Sequence, residues 1–128
     1  MSRLTNACGQ ERRWWGVMPI LPAPVMGGIA KQMEAVGFEG CFSLQIYGPP
    51  FVPMAAVAAM TDTLKVSTGI AVAGTRSPVE TAFAAMELDT ISGGRFVLGL
   101  GTSLHSAIVG IYGEPKRKLL THLREVVK

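Results

Sequence analysis

Two stretches of this chain end in residues small enough to let a ligand approach the backbone and polar enough to bind it. The first is K-V-S-T-G-I-A-V (65–72) and the second is G-R-F-V-L-G-L-G-T-S (94–103). In the second, Gly101 permits close approach, while the hydroxyls of Thr102 and Ser103 can donate and accept hydrogen bonds. The same residues would also suit a plain turn. His105 follows directly and could serve acid–base chemistry or meet a phosphate, or it could be a surface histidine. Arg76 follows the first stretch and is a candidate contact for an anionic group. His122 sits beside Leu123 in a helical pattern and reads as structural or solvated.

Other chemistries lack the residues they need. No C-x-x-C or metal-ligand spacing occurs, and Cys8 and Cys41 are the only cysteines. One disulfide is arithmetically allowed, but Cys41 lies in an apolar run and is expected to be a buried thiol. The formal net charge is +3, and all of the excess falls after residue 104, around the basic run 116–118. No aromatic residues interleave with that run and no recognition module is present, so nucleic acid is not an expected partner. The apolar run Phe51 to Met60 contains Pro53 and is half the length a bilayer requires. No membrane association and a cytoplasmic location are the expectations.

Elements that would position these residues can be read in order. Residues 1–15 look like a loose polar arm, and 16–21 could form a first strand, with Pro19 arguing against a central one. Met26, Ile29, Ala30, Met33 and Val36 recur at helical spacing up to Gly37. A strand is expected over 38–47, a short alanine-rich helix over 52–60 and a strand over 64–73. Ser77, Pro78 and Glu80 spell a capping box with proline at the first helical position. In the helix that follows, Val79, Ala82, Phe83 and Met86 form the expected apolar stripe. A strand over 96–100 comes next, then an irregular stretch, then a final helix from about Lys116. Asp89 and Arg95 flank a tight turn and are expected to hold it together.

The strands are apolar on both faces, so helices must cover them, and the strand–helix alternation makes the sheet parallel. Helix-to-strand links are short, whereas the strand-to-helix links are longer and hold the unusual residues. That asymmetry places a site at the C-terminal ends of the strands. The expected fold class is α/β: a partial (β/α)8 barrel, its N-terminal half, with parallel strands. A full barrel needs roughly 250 residues, and three or four bare strands would leave apolar edges.

Four segments resemble the luciferase-like monooxygenase superfamily, in particular its coenzyme F420-dependent oxidoreductase branch. They are V-G-F-E-G (36–40), P-F-V-P-M-A-A-V-A-A-M-T-D-T-L-K-V-S-T-G-I-A-V-A (50–73), R-S-P-V-E-T-A (76–82) and L-D-T-I-S-G-G-R-F-V-L-G-L-G-T (88–102). Their order and spacing agree, and the resemblance covers about residues 26–128. It implies an irregular arm over 1–25 and a truncated barrel domain over 26–128. It also implies F420, or alternatively FMN, bound at the strand ends for hydride transfer or monooxygenation of a small organic substrate.

In that family a non-prolyl cis peptide near the end of the third strand supports the ring. Carried over, this falls near Ala71 and Val72, with Gly101, Thr102 and Ser103 as the second cofactor contact. Relatives often end the second strand with an acid or histidine. Here Gln45 and Tyr47 stand in that region as candidate substrate contacts; Gln45 is a poor proton donor, and Tyr47 could be an acid or an aromatic lid. The resemblance leaves open a catalytic oxidoreductase, a non-catalytic truncated fragment, and an accessory half-subunit completed by a second-half chain or a further copy.

Overall fold

A computed structural model describes residues 11, 13–115 and 118–128. Four parallel strands form the main sheet: β1 (Trp15–Val17), β2 (Gly40–Ser43), β3 (Lys65–Thr68) and β5 (Phe96–Val97), in that spatial order. A second pair, β4 (Ala71–Val72) and β6 (Leu100–Gly101), is also parallel. These are not independent strands. β3 and β4 are one strand interrupted at 69–70, and β5 and β6 are one strand interrupted at 98–99. The register runs Gly40 opposite Lys65 to Ser43 opposite Thr68, then Val66 opposite Phe96. The expected strand 38–47 is shortened to the paired residues 40–43, and 64–73 lapses at 69–70, where the Thr68 hydroxyl bonds Gly99 in place of the ladder. β1 stops before Pro19, where a missing N–H would otherwise break the ladder.

Helices α1 (Ala23–Ala35), α2 (Phe51–Met60) and α3 (Pro78–Ser92) pack side by side, with α2 between the other two. Pro24 lies in the first turn of α1, where its absent donor costs nothing. Cys41 and Val66 of the sheet meet Met54, Val57 and Ala58 of α2 and Ala30 of α1 in one buried cluster. Each fully buried large side chain there contributes about 1.5–3 kcal/mol of apolar burial. Cys41 is a free thiol within this core, and burial pushes its pKa up to about 11. Cys8 lies outside the described residues.

The capping box forms as expected. Ser77 Oγ accepts from the Glu80 amide at 3.1 Å, and Glu80 reaches back to the Ser77 amide. Gly93 ends α3 in the left-handed region at φ 64°. The stripe on this helix is corrected, however. Val79, Phe83 and Met86 are 60%, 59% and 64% exposed, and Ala82 is exposed too. The face turned inward carries Thr81, Leu88 and Ser92, with Ala84 and Ala85 packed against the core. Small residues let α3 approach the alanine-rich α2 closely, so close packing, not side-chain size, selects the buried face.

The N-terminal ends of the strands are held by charged clamps. Arg95 donates to the carbonyls of Ala58, Thr61, Leu64 and Ser92 and to the Thr61 hydroxyl, closing α2 onto the start of β5. Its expected structural role is met. Glu34 of α1 accepts from the amides of Asp62, Thr63 and Leu64 and from the Thr63 hydroxyl. Glu39 pairs with Lys65 at 2.9 Å and Arg13 at 3.2 Å.

Beyond β6 the chain forms a short helix α4 (His105–Gly110), where an irregular stretch was expected, and α5 (Leu119–Val126). The basic residues Lys116 and Arg117 lie outside the described residues. Among the described residues, no helix is long and apolar enough to cross a membrane.

Candidate functional site

The C-terminal ends of the strands gather most of the predicted site residues, and the break in the third strand organises them. Thr68 closes β3. Its hydroxyl accepts from the Gly99 amide at 2.9 Å and donates to the Gly99 carbonyl at 2.8 Å. The Ala71 amide then reaches the same carbonyl at 2.7 Å. One side chain thus bridges the gap where the backbone ladder lapses. A Cβ at position 99 would lie 2.0 Å from the Thr68 carbonyl oxygen, so only glycine fits there. At Gly101 a Cβ would meet Ile70 Cδ1 at 2.1 Å. Part of what looked like room for a ligand is room for Ile70.

The non-prolyl cis peptide is Gly69–Ile70, two residues before its expected place at Ala71–Val72. Ala71 and Val72 are 0% and 2% exposed, so both residues are buried, and their amides are taken by the Gly99 carbonyl and by Gln45 Oε1. Ile70 is 36% exposed at the strand break. Thr102 and Ser103 are half-buried, and Ser103 takes φ 57°, the left-handed turn that leads from β6 into α4.

Gln45 lies at the end of the second strand, as expected, but its amide is engaged within the protein. Oε1 accepts from the Val72 amide at 2.9 Å and from Arg76 Nη1 at 3.0 Å, while Nε2 donates to Thr75 Oγ1 at 2.9 Å. The Thr75 hydroxyl in turn donates a hydrogen bond to the Val72 carbonyl at 2.9 Å. Tyr112, after α4, directs its hydroxyl at the carbonyls of Ile46 (2.8 Å) and Gln45 (3.2 Å). Arg76 lies over the Phe51 ring, 5.4 Å from its centroid. Burial lowers its pKa, opposed by Tyr112 and Glu80; a guanidinium remains charged regardless.

Tyr47 is 86% exposed on the rim. It borders an apolar hollow of about 270 Å³ between the ends of β1 and β2, shared with Val17, Ile20, Leu44 and Ile46. His105 begins α4 and is exposed. His122 of α5 faces the segment Gly74–Pro78 with Glu80 and Glu114, and its Nε2 is buried without a partner among the described residues. Among the described residues, no group of His, Cys, Asp or Glu is arranged to hold a metal.

Thr68, Thr75 and Tyr112 did not emerge from the sequence. Their signal is geometric: each bonds a partner at least 30 residues away, which side-chain types do not mark. The S-T before Gly69 was the visible trace of Thr68.

This arrangement, with a parallel sheet broken after Thr68 and hydroxyls at the next strand end, can be set beside known proteins. The family model described as luciferase-like monooxygenase matches residues 21–128. The chain belongs to that family. It is 31% identical over 120 residues to Rv3520c of Mycobacterium tuberculosis, whose name assigns it provisionally to the coenzyme F420-dependent oxidoreductases. That match covers 93% of this chain and 34% of the relative. Among solved structures, the coenzyme F420-dependent tetrahydromethanopterin reductase of Methanopyrus kandleri aligns with TM-score 0.74 at 25% identity, covering 88% of this chain and 37% of that one. The oxygenating constituent of 3,6-diketocamphane monooxygenase of Pseudomonas putida, solved with FMN, aligns with TM-score 0.74 at 19% identity, covering 90% and 37%. The last likeness shows the fold. The α/β architecture with parallel strands is thus the partial barrel core of this family, and the chain spans about a third of the length of these relatives.

Proposed function

We propose that this chain supplies the ring-binding strand ends of an F420-dependent oxidoreductase that transfers a hydride to or from a small organic substrate. The observation that carries the reading is the third-strand break, fixed by Thr68, with the half-buried hydroxyl residues Thr102 and Ser103 directly after the neighbouring strand. The residues suit a flat heteroaromatic ring with a polar chain. Exposed Ile70, packed over Gly101, offers an apolar edge, and half-buried Thr102 and Ser103 beside it offer two hydroxyls. Tyr47 and the apolar hollow beside it would receive the substrate. When bound, the deazaflavin supplies the hydride chemistry, and the protein supplies orientation and exclusion of water. F420 is preferred over FMN because two matched relatives at 25% identity or more carry F420 in their names.

A second reading is a non-catalytic half-domain, or an accessory half-subunit completed by further polypeptide. β1 and β5 are edges of the main sheet, and Val17 and Val97 on them are 50% and 44% exposed. Such edges call for a covering element. Native purification with mass determination, followed by separate titrations with F420 and FMN, distinguishes the readings. Saturable quenching of F420 fluorescence by the assembled species supports the oxidoreductase. A folded species that leaves both cofactors unbound overturns it and leaves the half-domain reading.

A further inference from the structure

We infer that Gln45 is a positioning residue: it sets the end of the third strand and the Arg76 guanidinium relative to each other, and acts on a ligand through them. The family resemblance makes this position a candidate substrate contact. The geometry assigns its amide differently. Oε1 receives two N–H donors, from Val72 and Arg76, and both of its lone pairs are committed. Nε2 faces Thr75 Oγ1, whose proton is already given to the Val72 carbonyl, so that oxygen must accept. Rotating the amide by half a turn would set NH2 against two donors. The orientation is therefore fixed by its partners.

The consequence is a crosslink between neighbouring strand ends. Val72 is two residues past the cis peptide and 2% exposed, and its amide has the Gln45 oxygen as its partner. Arg76 is held from two sides, by Gln45 Oε1 and by the Phe51 ring. Tyr112 fixes the carbonyls of residues 45 and 46 from the α4 side, which limits the directions the Gln45 side chain can take. A neutral amide serves here where an acid would add a charge beside Arg76.

The inference rests on the proposed function only for what the strand end presents to a ligand, and the experiment separates the two. Amide exchange of Val72 is measured in the whole protein, with Val66 as reference, since the Val66 amide donates to Arg95 at the far end of the sheet. Gln45→Ala is expected to speed Val72 exchange about tenfold over Val66, the loss of one buried bond. Gln45→Glu, which keeps both acceptor bonds, is expected to restore it. Unchanged Val72 exchange in Gln45→Ala, or equal acceleration of Val66 and Val72, overturns the inference. In parallel, F420 alone and FMN alone are titrated into the three proteins. Weaker binding by Gln45→Ala with recovery in Gln45→Glu supports positioning. Identical affinity and identical bound spectrum in Gln45→Ala overturn it. A wild type that binds neither cofactor refutes the proposed function instead, and the exchange result then decides the role of Gln45 by itself.

Discussion

Replacing Thr68 by valine isolates the clasp at the strand break, because the side chain keeps its shape and loses only its hydroxyl. Thr68 is 1% exposed, so no new surface appears. Of its two bonds, the one to the Gly99 carbonyl is the lesser loss, since that oxygen still accepts from Ala71 at 2.7 Å. The Gly99 amide, 2.9 Å from the hydroxyl, has no second partner among the described residues. An orphaned buried donor costs about 1–3 kcal/mol, and Gly99 is only half-buried, so about 1–2 kcal/mol is expected for Thr68→Val. Thr68→Ser retains the hydroxyl and loses a methyl, for about 0.8 kcal/mol. Urea unfolding reads both as shifts in midpoint at constant slope. Stability alone does not separate the mechanisms, but exchange of the Gly99 amide does: faster in Thr68→Val, unchanged in Thr68→Ser. A Thr68→Val protein with native stability and native Gly99 exchange would refute the clasp.

At the other end of the sheet, Arg95→Ala should cost at least about 2 kcal/mol in urea unfolding, the scale of a single charge-assisted bond, with Arg95→Lys intermediate because one ammonium cannot reach every carbonyl. Glu34 gives a pH signature. Burial opposes its ionisation, but the Thr63 amide and hydroxyl and the Leu64 and Asp62 amides outweigh that and hold its carboxyl below the ordinary 4.5. A depressed folded pKa means the contribution is present above pH 4.5 and is lost as pH falls from there through the lowered value; Glu34→Gln should flatten the acid limb of stability. The two faces of α3 should respond oppositely. Leu88→Ala, at 2% exposure, should cost about 2–5 kcal/mol, and Phe83→Ser, at 59% exposure, should stay within about 0.5 kcal/mol.

The alternation of elements and the capping box at Ser77 were legible because they rest on local rules: an N-cap, a proline in the first turn, a glycine after the last. The parallel sheet followed from strands apolar on both faces. What escaped the sequence was set by contacts at a distance. The buried face of α3 depends on how closely α2 lies, which periodicity on α3 alone does not contain. The strand break at Gly69–Ile70 depends on Thr68 meeting Gly99, 31 residues away. Gln45 and Tyr47 both stand at the end of the second strand, yet one is consumed by neighbours and the other is on the rim. Residue type says what each can do, and only the fold says whether its capacity is already spent.

The two ends of the sheet are fastened by different chemistry, and the difference bears on function. The N-terminal ends use charges: Arg95 on helix and loop carbonyls, Glu34 on loop amides, Glu39 with Lys65. The C-terminal ends use the neutral groups of Thr68, Gln45, Thr75 and Tyr112 to hold backbone and the one guanidinium of Arg76. The amide and hydroxyls there commit their donors and acceptors to backbone and to Arg76, so each fixes a direction as well as a position. On this division, removing a clamp at the N-terminal end changes stability and leaves ligand affinity of the folded protein intact, whereas removing a neutral fastener at the C-terminal end changes affinity by more than its effect on stability accounts for.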